Sequence, residues 1–535
     1  MSEVARAALV TQLDWPRRAP SRAEVGDGRV AILDPRRGAG RPPSGVGARR
    51  GIPGARRCCA ALVFALLAFA GPLGKKVATA GGTAPDLSAP RAALAKELEA
   101  LATSANDQRV MRFRDQVFRV LIQLVPDHSR ARTALKFRRD PKGGAWLQAP
   151  DYREPTDWAP QVLPRVKARL EEALSRYRDA VLFALSSTTD LADAVKEQEL
   201  DDLGRLLPND RNVHEVRGDV EHEGRWLMPE TVAALAERRA FHELVQAGRS
   251  MADAGIHRVT TLPKGFVGEG FEYLDGRHRV FGWTGEKWAE ESLRFVVIGT
   301  VLTAGVTRCE MVGEARQGET LLFPSEKEVI EWMRANPARA TAEDLQSVPQ
   351  VGALSTEDDT RVVYFGREGY RRTSALASAV GLGLLIACPE GEKDGAWVRF
   401  GLRNRIIRFI TTLRPPQSVV LGGTAAGGKA EAEEEYPPDD LSKWLAAAAT
   451  RLADKGPERI ARVLTVQTNA MSPSDHLVAY ALAAYLREGK PDAFEAFLEA
   501  SRGSTDAREI VRAGLGTDLG SLTLRLRRWL LEQDE

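Results

Sequence analysis

The chain has 535 residues, 43% apolar and 28% charged, with 75 Lys and Arg almost balancing 73 Asp and Glu. That length suggests two to four domains and that composition buries an ordinary core, while four Cys and seven His exclude a disulfide-dense scaffold or a multi-finger zinc array. The balance hides an asymmetry: residues 1–57 hold 12 Arg, no Lys and 5 acids, whereas residues 81–535 carry 61 basic and 68 acidic side chains, a body without the basic face that bulk nucleic-acid binding needs.

Arg49, Arg50, Arg56 and Arg57 precede the apolar run Cys58–Ala70, and Ala78-Thr79-Ala80 stands before Gly81. A basic region, a short apolar stretch and an A-x-A signature read as an export signal over 58–80. The run is too short as a helix to cross a bilayer core of about 30 Å. Lys75 and Lys76 keep a retained anchor, attached through residues 58–74, as the alternative. Residues 1–57, rich in Arg, Pro and Gly, read as an upstream extension from a misassigned start or as a disordered tail. Cys58 and Cys59 fall in the export segment; Cys309 and Cys388 read as buried thiols, with pairing in an oxidising compartment the other reading.

Residues 85–255 read as a helical, repeat-like region. Leu94, Leu98 and Leu101, then Phe113, Val117, Leu121 and Leu124, predict a helix over 89–125 that Pro126-Asp127 breaks. A second block over 160–206 ends at Pro208-Asn209-Asp210. The breaks open a weak internal repeat, Pro126 to Trp146 and Pro208 to Trp226, each ending in a Gly turn that presents a Trp. A helix over 229–250 follows. Residues 260–289 read as a β-hairpin connector turning at Asp275-Gly276.

Residues 290–414 read as an α/β part. Leu293–Leu302 is expected as a buried strand, Thr320–Phe323 as a second strand, Ser325 with Glu328 as a capping box, Arg361–Phe365 as a third strand, and Thr373–Ile386 and Ala396–Leu413 as helices. Residues 415–438 read as a flexible linker and 439–535 as helices. The fold class is α+β, helix-dominated, with one small mixed sheet.

Chemical motifs are sparse. His242-Glu243-Leu244-Val245-Gln246 lacks the second His of H-E-x-x-H, which grips zinc with two imidazoles one helical turn apart; His214-Glu215 and His222-Glu223 lack it too. Gly423–Lys429 is one residue short of a phosphate loop, Ala430 replaces the Mg²⁺-holding hydroxyl, and the acids that follow would repel phosphate. No G-x-S-x-G elbow occurs. A working hydrolase would have to draw on His278, His476, Asp475 and nearby acids.

The order of pieces across 290–535 resembles the gluzincin-type, peptidase-MA-like domains of secreted bacterial proteins. Leu321-Leu322-Phe323-Pro324-Ser325 matches the strand and capped helix, and Gly352-Ala353-Leu354 with Val362–Phe365 the turn and edge strand. Trp397–Asn404 matches the segment whose first Glu is the third zinc ligand, and the tail YALAAYLREGKPDAFEAFLEA also fits. The resemblance implies a zincin-like domain whose metal site is lost: the ligand histidines become Ser374 and Ser378, the general base Ala375 and the third ligand Phe400. Independently of register, no His lies between His278 and His476. Neutral serines do not replace imidazoles on zinc. The expectation is a pseudoenzyme with no catalytic residue, metal or cofactor, binding an unknown protein or peptide at the cell envelope after export to the periplasm, cell surface or medium; a membrane-tethered structural protein is the alternative.

Overall fold

Leucines spaced by three and four fold into α1 (Ser88–Asp107), and the next stripe into α2 (Met111–Leu124). The sequence reads them as one helix. The chain breaks between them at Arg109, which takes a left-handed φ of 59°, and the two stripes pack around Leu98, Leu101, Phe113 and Val117. The computed structural model describes residues 86–533 except 141–145, 189–190, 274–277, 286–287, 308–317, 349–352, 356–360, 365–375, 377–379, 381–394, 396, 413–439 and 468–469, all in one unit of the chain, Gly71–Glu535.

Helix α3 (Ser129–Ala134) leads to a hairpin of β1 (Phe137–Arg139) and β2 (Trp146–Gln148). The segment 149–159 then crosses to α4 (Leu163–Ser187), followed by α5 (Asp193–Leu206), so the block expected over 160–206 is divided after Ser187. A short helix α6 (Arg211–Arg217) and a second hairpin, β3 (Val220–His222) with β4 (Arg225–Leu227), precede α7 (Pro229–Gly255). Pro229 sits in the first turn of α7, where its missing N–H leaves no bond unmade.

Strands β5 (Ile256–Val259), β6 (Gly268–Tyr273), β7 (His278–Trp283), β8 (Gly318–Leu322), β9 (Ala353–Ser355) and β10 (Arg361–Val363) form one mixed sheet in the order β5-β6-β7-β8-β10-β9. The hairpin residues therefore share a sheet with the strands expected further on. The β7–β8 and β8–β10 pairs are parallel, the others antiparallel. Both faces are covered, which is why the parallel strands read as unbroken apolar runs. Phe281, Leu321 and Val362 face α9 (Glu326–Ala335) with Phe323 and Trp332. Val280, Leu322 and Val363 face α8 (Ala289–Thr307).

Helix α8 corrects the strand expected at Leu293–Leu302. A short apolar run does not distinguish a buried strand from a buried helix. Here Leu293, Val296 and Val297 lie under the sheet, while Ile298, Leu302 and Val306 meet Phe241 and Val245 of α7. Burial on two sides makes the helix apolar all round, and Glu290 and Glu291 in its first turn suit the N-terminal dipole. Ser325 caps α9, its hydroxyl accepting from the Lys327 amide and donating to Glu328. Thr341 closes a full capping box on α10 (Ala342–Ser347).

The C-terminal half is helical: a π-helical turn at Trp397–Leu402, α11 (Arg403–Ile410), α12 (Trp444–Leu452), α13 (Gly456–Thr465), α14 (Pro473–Ala484) running into a second π turn at Tyr485–Gly489, α15 (Phe494–Gly503), α16 (Ala507–Leu515) and α17 (Leu519–Leu531). Residues Ser474 to Gly489 are all buried, so α14 with its π turn is the central rod. The molecule is a helix-dominated α+β protein with one small mixed sheet. Among the described residues no helix is long and apolar enough to cross a membrane.

Candidate functional site

Of the four positions where the resemblance places a lost metal site, Ser374, Ala375 and Ser378 lie outside the described residues. So do Cys58, Cys59, Cys309, Cys388 and Gly423–Lys429. Leu376 and Val380 are helical and fully buried. A β-carbon on Gly299 of α8 would sit 3.0 Å from Val380 Cγ2, 3.1 Å from Leu376 Cδ1 and 3.7 Å from Ile410 Cδ1. These three side chains therefore meet α8 at one point, beside the helix that leads back to Phe400.

Phe400 lies in the first π turn and is 3% exposed. Its ring stacks on His476 of α14, with centroids 4.1 Å apart and planes at 15°, and on Trp444 of α12 at 6.1 Å and 12°. Trp444 meets Tyr480 edge-on at 5.3 Å. The next residue permits this approach. A β-carbon on Gly401 would lie 2.6 Å from the Ala479 carbonyl carbon, so the π turn rests on the backbone of α14. Gly401→Ala is expected to cost about 3 kcal/mol, because the obstacle is backbone rather than a flexible side chain; urea unfolding checks it, and a loss below about 1 kcal/mol contradicts the contact.

The aromatic stack ends in a buried ion network. Arg405 of α11 grips Glu488 through both carboxylate oxygens, one contact being Nη2 to Oε2 at 2.9 Å, and donates from Nη1 to the Tyr480 hydroxyl at 2.9 Å. Arg238 of α7 donates to Glu488 Oε2 at 2.6 Å. Burial pushes the Glu488 carboxyl up, but the two guanidiniums outweigh it and hold it below the usual range. Arg487 donates from Nε to the Val306 carbonyl at 2.5 Å and from Nη2 to that of Gly305 at 3.4 Å, placing a cation on the C-terminal end of α8, and pairs with Glu237 at 2.8 Å.

The other sequence candidates do not assemble. His278 opens β7 on the sheet, whereas His476 is stacked in the helical core. Asp475 accepts from the Ser472 amide and pairs with Arg462 at 2.8 Å, a capping role. His242 Nδ1 lies 2.7 Å from the Arg238 carbonyl, one turn back on α7, and its ring meets Phe409 edge-on. All seven His are described, and among the described residues no three His, Cys, Asp or Glu converge into a metal cage. Sequence reading missed the Glu488 network; the signal for it was Arg487-Glu488 ending the apolar run YALAAYL. Comparison with family models, characterised proteins and solved structures found no significant match.

Proposed function

We propose that the chain is an exported, non-catalytic protein of peptidase-like architecture, with tandem helical units in front, that acts by binding or scaffolding at the bacterial cell envelope. One observation carries the non-catalytic part. Where the resemblance asks for a carboxylate, Phe400 packs its ring between His476 and Trp444, so this side of the site is filled by aromatic carbon. The export part rests on the Arg-flanked run Cys58–Ala70 and Ala78-Thr79-Ala80.

Local geometry supports the tandem units. Helices α2 and α5 are each 14 residues long and begin 82 residues apart. His128 and Asp210 cap α3 and α6, accepting from the Ala131 and Val213 amides. Arg132 donates to the Pro126 carbonyl at 2.9 Å and lies 5.3 Å over the Trp146 ring; His214 Nε2 lies 3.0 Å from the Pro208 carbonyl and its ring stacks 5.0 Å from Trp226. A left-handed residue follows each short helix, Lys136 and Gly218.

Purified residues 81–535 are expected to carry far less than one zinc per chain and to show no chelator-sensitive peptidase activity. Stoichiometric zinc together with cleavage that a chelator abolishes would overturn the non-catalytic reading. Expression of the full chain in an export-competent bacterium is expected to yield a mature N-terminus at Gly81 by mass spectrometry; an unprocessed, membrane-bound product supports the tethered reading instead.

A further inference from the structure

The two tandem units differ in what lies on their second helix. In the later unit the chain passes from β4 to α7 through Met228 alone, and α17 of the C-terminus covers α5. Arg525 pairs with Glu197 at 2.5 Å, Arg528 pairs with Asp219, and Glu532 accepts from the Met228 amide at 2.9 Å. In the earlier unit the same passage takes the segment 149–159, which closure of the hairpin onto the next helix does not require, and this strap lies along α2. The Tyr152 hydroxyl donates to Asp115 Oδ2 at 2.7 Å, and Asp115 is 1% exposed. Glu154 pairs with Arg119 at 3.1 Å and Arg112 at 3.2 Å. Asp157 Oδ1 accepts from the Arg112 and Phe113 amides at 2.8 and 3.3 Å, capping α2 from 45 residues away. Position 115 in α2 corresponds to Glu197 in α5, so the strap occupies the face that a helix covers in the other unit.

Beyond Tyr152 and Ala159, which pack against the apolar core of this unit, and the Trp158 amide, which donates to the Arg109 carbonyl at 2.9 Å, the strap is held at the surface. Its ion pairs are exposed to water and weak for that reason. Asp151, Arg153, Glu154 and Thr156 are exposed, and Trp158 is left 79% exposed at the end of the strap. Trp is among the residue types most enriched in binding hot spots, and this one is left to water beside the polar contacts on α2.

We infer that the face of α2 presenting Arg112, Asp115 and Arg119 is a docking surface for a protein partner's extended acidic segment, and that Tyr152-Arg153-Glu154-Pro155-Thr156-Asp157 is an internal stand-in that this segment displaces. The strap itself spells out the chemistry recognised: a hydroxyl donor for buried Asp115, a carboxylate two residues on for the paired guanidiniums, and a second carboxylate for the first-turn amides of α2. Burial and the bond to Asp115 push the Tyr152 hydroxyl up to about 12, so it remains a donor at neutral pH. The inference rests on the tandem-unit reading proposed above and does not depend on the C-terminal half being peptidase-like.

The test uses residues 81–535 and a fluorescent peptide copying 149–159. Tyr152→Phe with Glu154→Gln loosens the strap and leaves the receiving face intact. This variant is expected to bind the peptide at least tenfold more tightly than the parent chain by fluorescence anisotropy, and adding Arg119→Ala is expected to remove the gain. Equal binding by variant and parent with unchanged melting overturns the inference, as does a gain that survives Arg119→Ala. Loss of the first unit's fold in the loosened variant, seen by circular dichroism, also overturns it, because the strap is then part of the structure rather than a ligand.

Discussion

Glu488→Gln is expected to lower stability by about 3–5 kcal/mol, because it removes the counter-charge shared by two guanidiniums drawn from different helices. Glu488 is fully buried and Arg405 is 2% exposed, so water cannot replace the lost carboxylate. Arg238 comes from α7 and Arg405 from α11, so the loss loosens the joint between α7 and the C-terminal helices. Replacing the set together, Glu488→Leu with Arg405→Met and Arg238→Met, is expected to recover much of the loss, since apolar side chains of similar size avoid desolvating charge. Urea midpoints separate the cases; a single substitution as harmless as the triple one contradicts the account. The pH dependence has a definite sign. The folded carboxyl is held below its ordinary value of 4.5. Its contribution is therefore complete above that value and is lost as pH falls through and below it. The Gln variant is expected to lose less stability than the parent between neutrality and pH 4.

Phe400→Ala is expected to cost about 3–5 kcal/mol, the range for emptying a buried aromatic position. The ring sits between two others and below 5% exposure, so its removal leaves a void that Gly401, already against the α14 backbone, cannot close by moving inward. Phe400→Leu is expected to cost less than half as much. A change in the near-ultraviolet circular dichroism of Trp444 accompanies the larger loss if the stack is as described. A Phe400→Ala chain within about 1 kcal/mol of the parent contradicts a filled site and reopens the position to a ligand.

Several elements were legible because their signals are local. The apolar stripes of α1 and α2, Pro229 opening α7, Ser325 capping α9 and the strand pair around Asp275-Gly276 depend on residues within a turn or two of one another. The helix break at Arg109 was not legible, because no Pro or Gly marks it. Asp157 caps the new helix from 45 residues away, a partner that spacing along the chain does not reveal. The aromatic packing around Phe400 was not legible, because it depends on His476 and Trp444, which lie 76 and 44 residues away along the chain.

By itself the sequence determined the helix-dominated α+β class and the lack of any H-E-x-x-H pair beyond His278, since composition, period and residue identity do not depend on how the chain folds. Tertiary structure alone decided that Leu293–Leu302 is a helix, because an apolar run of that length satisfies either backbone until its neighbours cover one side or two. It also decided which charges are buried: Arg238, Arg405 and Glu488 are unremarkable along the chain, and become a core element only when three helices bring them out of water together.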